Sequence, residues 1–276
     1  MDLFLDHVAT AWRDLDDAVA ALDAVDLPSE YGGEHADGTT EMRIVGFPDG
    51  SYLECITNTG AEPPVRWPTF IHEDAGPCAW CLGTDDVRGF MHRCLDSGER
   101  VAGPNRDGRR RPDGTQVEWE TATVGDDLGL TLPFAIEDRT PRRYRVSPNP
   151  ALDGSSLVGL AEVLVLTAEP DPLVRSLDQL LRLPRPEQVD ADEFGATLHR
   201  FAGAPVAVAE PTSDRLRQRL DTVGSAVCAV LVETDDFDAA SEAFALGDEL
   251  SWGDDRVAWF DHPSLDGRVG VVEYGW

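Results

Sequence analysis

The chain has 276 residues, with 52 Asp and Glu against 23 arginines, no lysine and a formal net charge of −29. So negative a surface repels phosphate backbones and anionic bilayers, which argues against nucleic-acid and membrane partners, and no apolar run approaches the roughly 18 residues of a membrane span. With 42% hydrophobic residues and acids spread from Asp2 to Glu273, it reads as a folded cytoplasmic protein of a halophile, whose self-repulsion fades once about 1 M salt cuts the screening length to roughly 3 Å.

An apolar strand from Leu3 to Trp12 opens the chain, and Asp14 then caps a helix to about Val25 with Leu15, Ala18, Val19 and Leu22 on one face. An extended piece near Gly32 to Gly38 follows, and then strands Met42 to Phe47 and Ser51 to Thr57 flank Pro48-Asp49-Gly50. That tripeptide is a hairpin turn, because Pro presets φ and Gly accepts a positive one. The order recurs with strand Pro77 to Thr84, helix Asp86 to Asp96, extended pieces Arg100 to Ala102 and Gln116 to Thr123, and a closing strand Leu128 to Ile136. Residues 137–156 have no apolar period and read as a linker rich in Pro and Arg.

A third unit has strand Gly159 to Thr167, helix Pro172 to Leu183 and strands Ala196 to Phe201 and Val206 to Ala209. After a connecting helix near Ser213 to Val223, the fourth has strand Ala226 to Glu233, helix Phe237 to Leu246 and strands Val257 to Phe260 and Val269 to Tyr274. Acidic helix caps at Asp14, Asp86, Asp171 and Asp236 echo through the four. The expected organisation is therefore α+β: four βαβββ units in two tandem domains, 1–136 and 157–276, joined by a linker at 137–156.

Cys55, Cys78, Cys81, Cys94 and Cys228 are odd in number and lie in apolar stretches behind no signal peptide, which predicts free thiols in a reducing cytosol. Cys78 and Cys81 form a lone C-x-x-C, whereas a zinc ribbon needs a second pair. No phosphate loop, dinucleotide fingerprint or serine nucleophile elbow is present.

Three stretches carry a family likeness: Leu5-Asp6-His7-Val8, Phe47-Pro48-Asp49-Gly50-Ser51-Tyr52-Leu53-Glu54, and Arg109-Arg110-Arg111-Pro112-Asp113-Gly114 leading into Trp119. With them the chain resembles the vicinal oxygen chelate superfamily of glyoxalases and extradiol dioxygenases, and more narrowly its glyoxalase-like proteins. The resemblance implies curved mixed sheets around a cup, with metal ligands on the first and last strands of each of two paired units. His7 and Glu54 stand at both positions of the first unit. In the second unit the matching residues are Ala79 (or Cys78) and one near Pro133. The third unit offers Leu164, with Glu162 two residues earlier, and the fourth Ala229, so the set is incomplete.

His7 and Glu54 are thus read as metal ligands, as a general acid and base, or as a hydrogen-bonded pair lining the cup. A divalent Fe, Mn, Ni or Zn ion would suit an imidazole and a carboxylate, with Cys78 or His72 needed as a third ligand. Arg109 and Arg111 are either solvated charges or a grip on an anionic substrate beside Tyr52 and a flat wall from Trp119. His35, His92, His199 and His262 are expected at the surface or in packing. The function expected is lyase or isomerase chemistry, rather than dioxygenation, on a small oxygen-rich or carboxylated metabolite, metal-assisted or not. The alternative is a non-catalytic module that binds a small molecule. The second domain would then scaffold the first or serve a homodimer.

Overall fold

In a computed structural model, the structure describes residues 3–35, 38–60, 67–111, 113–125 and 129–275. The first unit comprises β1 (Phe4–Ala11), α1 (Leu15–Asp23), β2 (Glu30–Glu34), β3 (Thr40–Gly46) and β4 (Tyr52–Asn58); α2 (Pro68–His72) leads out of it. The second comprises β5 (Gly76–Gly83), α3 (Val87–Asp96), β6 (Val101–Arg110), β7 (Gln116–Val124) and β8 (Phe134–Asp138). The third has β9 (Leu157–Leu166), α4 (Pro170–Leu181), β10 (Glu187–Ala191), β11 (Ala196–Arg200) and β12 (Val206–Pro211). Helix α5 (Asp214–Val223) then leads to the fourth, with β13 (Ala226–Thr234), α6 (Phe237–Ala243), β14 (Leu250–Trp252), β15 (Asp255–Trp259) and β16 (Val269–Glu273).

Two eight-stranded mixed sheets result, ordered β2-β3-β4-β1-β5-β8-β7-β6 and β10-β11-β12-β9-β13-β16-β15-β14. In each unit the first and last strands pair in parallel, and two units join through antiparallel first strands, β1 with β5 and β9 with β13. The predicted hairpin is present: Gly46 pairs with Tyr52, Gly50 has φ 87°, and the Asp49 carboxylate accepts the Ser51 N–H at 2.7 Å. Helices α1, α3 and α6 start at Asp14, Asp86 and Asp236, whose side chains accept backbone N–H groups of the first turn. Asp171 is not the fourth cap. Pro170 and Pro172 set the start of α4, so Glu169 takes the cap position without a side-chain bond and Asp171 falls inside the first turn.

Alternating side chains divide each sheet between two environments. One face of both sheets shares a continuous core with the four unit helices, including Leu22, Phe90, Leu177 and Ala240. The opposite face of the second sheet is filled by its own side chains, with Phe194, Trp252 and Trp259 stacked among Leu164, Leu198 and Leu231. The corresponding face of the first sheet encloses a cavity of about 460 Å³. Two single-turn helices, Arg142–Tyr144 and Pro150–Leu152, lie between the sheets. This stretch packs on the first sheet rather than spanning open solvent: the Asn149 N–H donates to the Gly46 carbonyl at 2.9 Å, and Arg145 and Val146 are buried.

Candidate functional site

The cavity opens where β1 and β5 meet, and an irregularity in β1 decides what lines it. Pairing runs Leu5 with Leu82 and His7 with Cys81, which leaves Asp6 as the extra residue of a β-bulge. In a regular strand Asp6 and His7 would point to opposite faces. The bulge brings them together, and His7 Nδ1 lies 2.7 Å from Asp6 Oδ1.

Asp6 is fully buried. Burial alone would raise its pKa, but the Arg145 charge and the bonds from His7 and Arg145 outweigh it and hold the carboxyl well below the usual range. An ionised carboxylate only accepts, so His7 Nδ1 carries a hydrogen and Nε2 faces the cup. Arg145 meets both Asp6 oxygens at 2.9 and 2.8 Å and both Asp138 oxygens at 2.7 and 2.9 Å, and donates to the Tyr52 hydroxyl at 2.9 Å. Arg142 adds a further bond to Asp6. The His7 ring stacks on Tyr52 at 4.6 Å and meets the edge of Phe134 at 5.3 Å, which fixes its plane.

Glu54, on β4, reaches the same space. Its Oε2 is 3.7 Å from His7 Nε2, and its Oε1 is 3.3 Å from Nε2 of His35, whose Nδ1 lies 2.7 Å from the Thr40 hydroxyl. Each carboxylate oxygen therefore faces an imidazole nitrogen, and each imidazole is held from behind. His35 departs from the expectation of a surface or packing histidine, because the β2–β3 turn folds it into the cup. His72, by contrast, has an 80% exposed side chain beside Glu73 and cannot supply a third ligand. Cys78 is buried and donates its thiol to the Ala9 carbonyl outside the cavity lining.

Of the other residues singled out from the sequence, Tyr52, Arg109 and Trp119 line the cavity and Arg111 does not. Arg111 instead donates to the Tyr144 carbonyl at 3.2 Å. Arg109 and Arg110 belong to β6, which is longer than its sequence suggests, so Arg109 enters the cup from a strand. Pro112 and Leu128 lie outside the described residues. Sequence reasoning missed Asp6, His35 and Arg145. A signal existed only for Asp6, whose place beside His7 in an apolar strand demands a buried partner.

The sheet's local two-fold pairs His7 with Cys81 and Ala9 with Ala79, so Ala79 occupies the place in β5 that His7 has in β1. Likewise Phe134, beside Cys81, stands where Glu54 stands beside Ala9. The second unit thus supplies a methyl and a ring at its two ligand positions. In the second domain Glu162 is held by Arg200, which also binds Asp255.

Two groups bear on metal binding. Ligand atoms of Asp6, His7 and Cys81 lie within 4.8 Å of one another, close enough to share an ion. Asp6 already meets two guanidinium groups, however, and burial raises the Cys81 thiol pKa well above its usual value, so both disfavour that role. His7, His35 and Glu54 are better donors by chemistry, although their ligand atoms do not all come within 4.8 Å of one another. Two imidazoles with Nδ1 engaged elsewhere and one carboxylate form a three-donor set suited to a divalent first-row ion.

The sequence profile described as Glyoxalase-like domain matches residues 5–181, more than half of the chain. The chain belongs to this glyoxalase-like domain family. Its fold recurs in solved structures. A hypothetical protein from Staphylococcus aureus superposes with a TM-score of 0.64 at 14% identity, covering 99% of both chains. A mutant 4-hydroxymandelate synthase from Streptomyces coelicolor gives 0.61 at 14% identity over 98% of this chain and 91% of its own. The Mn(II)-bound glyoxalase from Novosphingobium aromaticivorans gives 0.56 at 11% identity over 99% of this chain and 82% of its own. At these identities the likeness concerns the fold alone. No curated protein sequence matches. Among the described residues of this glyoxalase-like protein, no helix is long and apolar enough to cross a membrane.

Proposed function

We propose that the first domain's cup is an active site for proton-transfer chemistry of the lyase or isomerase type on a small oxygen-rich metabolite, with His7 as base and Glu54 as its partner. The observation that carries this reading is the buried Asp6–His7 pair, which aims imidazole Nε2 at Glu54 inside the cavity. A strand histidine that served only packing would need neither an ionised carboxylate behind it nor open space before it. Asp6, held in place by Arg145, fixes the ring's tautomer and stabilises the imidazolium formed when Nε2 takes a proton. Glu54, 3.7 Å from His7 Nε2, can take that proton from the imidazolium and deliver it to a neighbouring atom of the substrate, which is an isomerisation, or to a leaving group, which is an elimination. Tyr52 and Trp119 wall the substrate, and Arg109 orients an anionic group; Arg111 would act only through the Tyr144 carbonyl to which it bonds. A divalent ion held by His7, Glu54 and His35 would supply Lewis-acid polarisation of a substrate oxygen.

The test is purification in molar KCl, metal analysis, and proton NMR in D2O of 2-hydroxy and 2-oxo carboxylates incubated with the protein. Exchange of a C–H next to a carbonyl, lost in His7→Ala and Glu54→Gln, is the expected result. A second reading, a binding module without chemistry, is favoured by Ala79 and Phe134 at the second unit's ligand positions. Ligand retention with no exchange of any carboxylate would select it and overturn the first.

A further inference from the structure

Several arginines of this acidic protein meet carboxylates: Arg88, Arg106, Arg139, Arg142, Arg145, Arg200, Arg217 and Arg256 form ion pairs. Arg109 has no ion pair among the described residues, although only 9% of it is exposed and it lines the cup. Its Nη1 is bound by the Gly32 carbonyl, with Met42 Sδ at 3.9 Å, and its Nη2 donates to the Arg145 carbonyl at 2.5 Å. Its Nε–H is buried with no partner. Trp67, also 9% exposed and lining the same cavity, has a buried indole N–H with no partner.

Both groups are donors only, so whatever satisfies them must bring acceptors. A buried unmet donor destabilises the empty fold, and more so when charged. Two of them on residues that line one cavity point to a ligand that seats against both. Glu54 and Asp107 line the same cavity, so a single unpaired cation there favours one negative charge over the two of a phosphate. Tyr52, Trp119, Phe134, Ile44 and Ile136 make the remaining walls flat and apolar.

We propose that the cup takes a small monocarboxylate with a flat apolar body, its carboxylate on the Arg109 guanidinium and a second acceptor oxygen on the indole N–H of Trp67. This deepens the reading of the cup as the active site and rests on it.

Calorimetric titration of the full chain in molar KCl tests the assignment with benzoylformate, its neutral amide, phenylacetate (which lacks the second oxygen) and inorganic phosphate. Benzoylformate should bind at least about tenfold tighter than the amide, as charge-assisted bonds allow. It should also bind tighter than phenylacetate, and phosphate should not compete. Trp67→Phe should erase the advantage over phenylacetate, and Arg109→Gln the advantage over the amide. Equal binding of acid and amide by the unmodified protein overturns the proposal, even where Arg109→Gln fails to fold. So does competition by phosphate, or a Trp67→Phe variant that still prefers benzoylformate to phenylacetate. Acid selectivity without proton exchange on any carboxylate would leave this inference standing and remove the acid–base reading; exchange without acid selectivity would do the reverse.

Discussion

Asp6→Asn isolates the charge behind His7. The side chain is fully buried, takes both Arg145 nitrogens at 2.9 and 2.8 Å and accepts from His7 and Arg142. Asn keeps the shape but removes the charge and turns one acceptor into a donor aimed at guanidinium hydrogens. Breaking one side of a buried ion pair costs about 3–5 kcal/mol. Arg145 keeps its two bonds to Asp138, which places this variant near the lower figure, about 3 kcal/mol. With a urea slope of about 2 kcal/mol/M, the unfolding midpoint of the first domain, followed by tryptophan fluorescence at fixed KCl, should fall by roughly 1.5 M. The pH dependence has a definite sign. Asp6 titrates well below its unfolded value of about 3.9. Its contribution is therefore complete above that value and is lost as pH falls through the lower folded pKa. Asp6→Asn should lose less stability over that acid window than the parent protein. A midpoint shift under about 0.3 M at neutral pH, or identical acid limbs, would refute the claim that this carboxylate is ionised and paired.

Trp252→Ala in the filled second cup should cost about 3–5 kcal/mol by leaving a cavity beside Phe194 and Trp259, yet leave benzoylformate affinity in the first cup unchanged; altered affinity would show that the two cups are coupled. All five thiols are free and buried, and burial pushes Cys55 and Cys228 up to about 11 and Cys94 to about 12, with Cys78 and Cys81 raised as well. An aromatic disulfide reagent at pH 8 should therefore label none in the native protein and all five after unfolding, and rapid native labelling of any of them would contradict that burial. With a net charge of −29, the unfolding temperature should climb steeply from low to molar KCl, and a flat response would remove the halophilic reading.

Much of the architecture was legible because it rests on periodicity and turn chemistry. The four first strands, the unit helices and the Pro48-Asp49-Gly50 hairpin lie close to their expected places. The short strands Glu187–Ala191 and Leu250–Trp252 escaped notice, since neither shows two clean alternations of apolar and polar residues. The site was harder to read for a different reason. His7 and Glu54 announce themselves by residue type and position, whereas the groups that hold them act across distances no local pattern encodes. Asp6 reaches His7 only because of a bulge that breaks the period of two. His35 is recruited by a turn, and Phe134 could be aligned with Glu54 only once the strand register was known. Arg145 lay in a stretch with no apolar period, which carries no sign that one of its cations ends fully enclosed.

That last residue makes the first sheet's independence incomplete. Two eight-stranded sheets suggest two exchangeable halves, each able to be copied, excised or grafted at a boundary just after β8. A fragment cut there would retain every strand of the cup and lose the counter-ion of Asp6. During synthesis, too, the amino-terminal strand would sit with an uncompensated anion until residue 145 had left the ribosome. The unit of inheritance is therefore longer than the unit of hydrogen bonding: residues 139–152 must travel with the sheet that precedes them, and fusions or permutations of this chain should respect that seam.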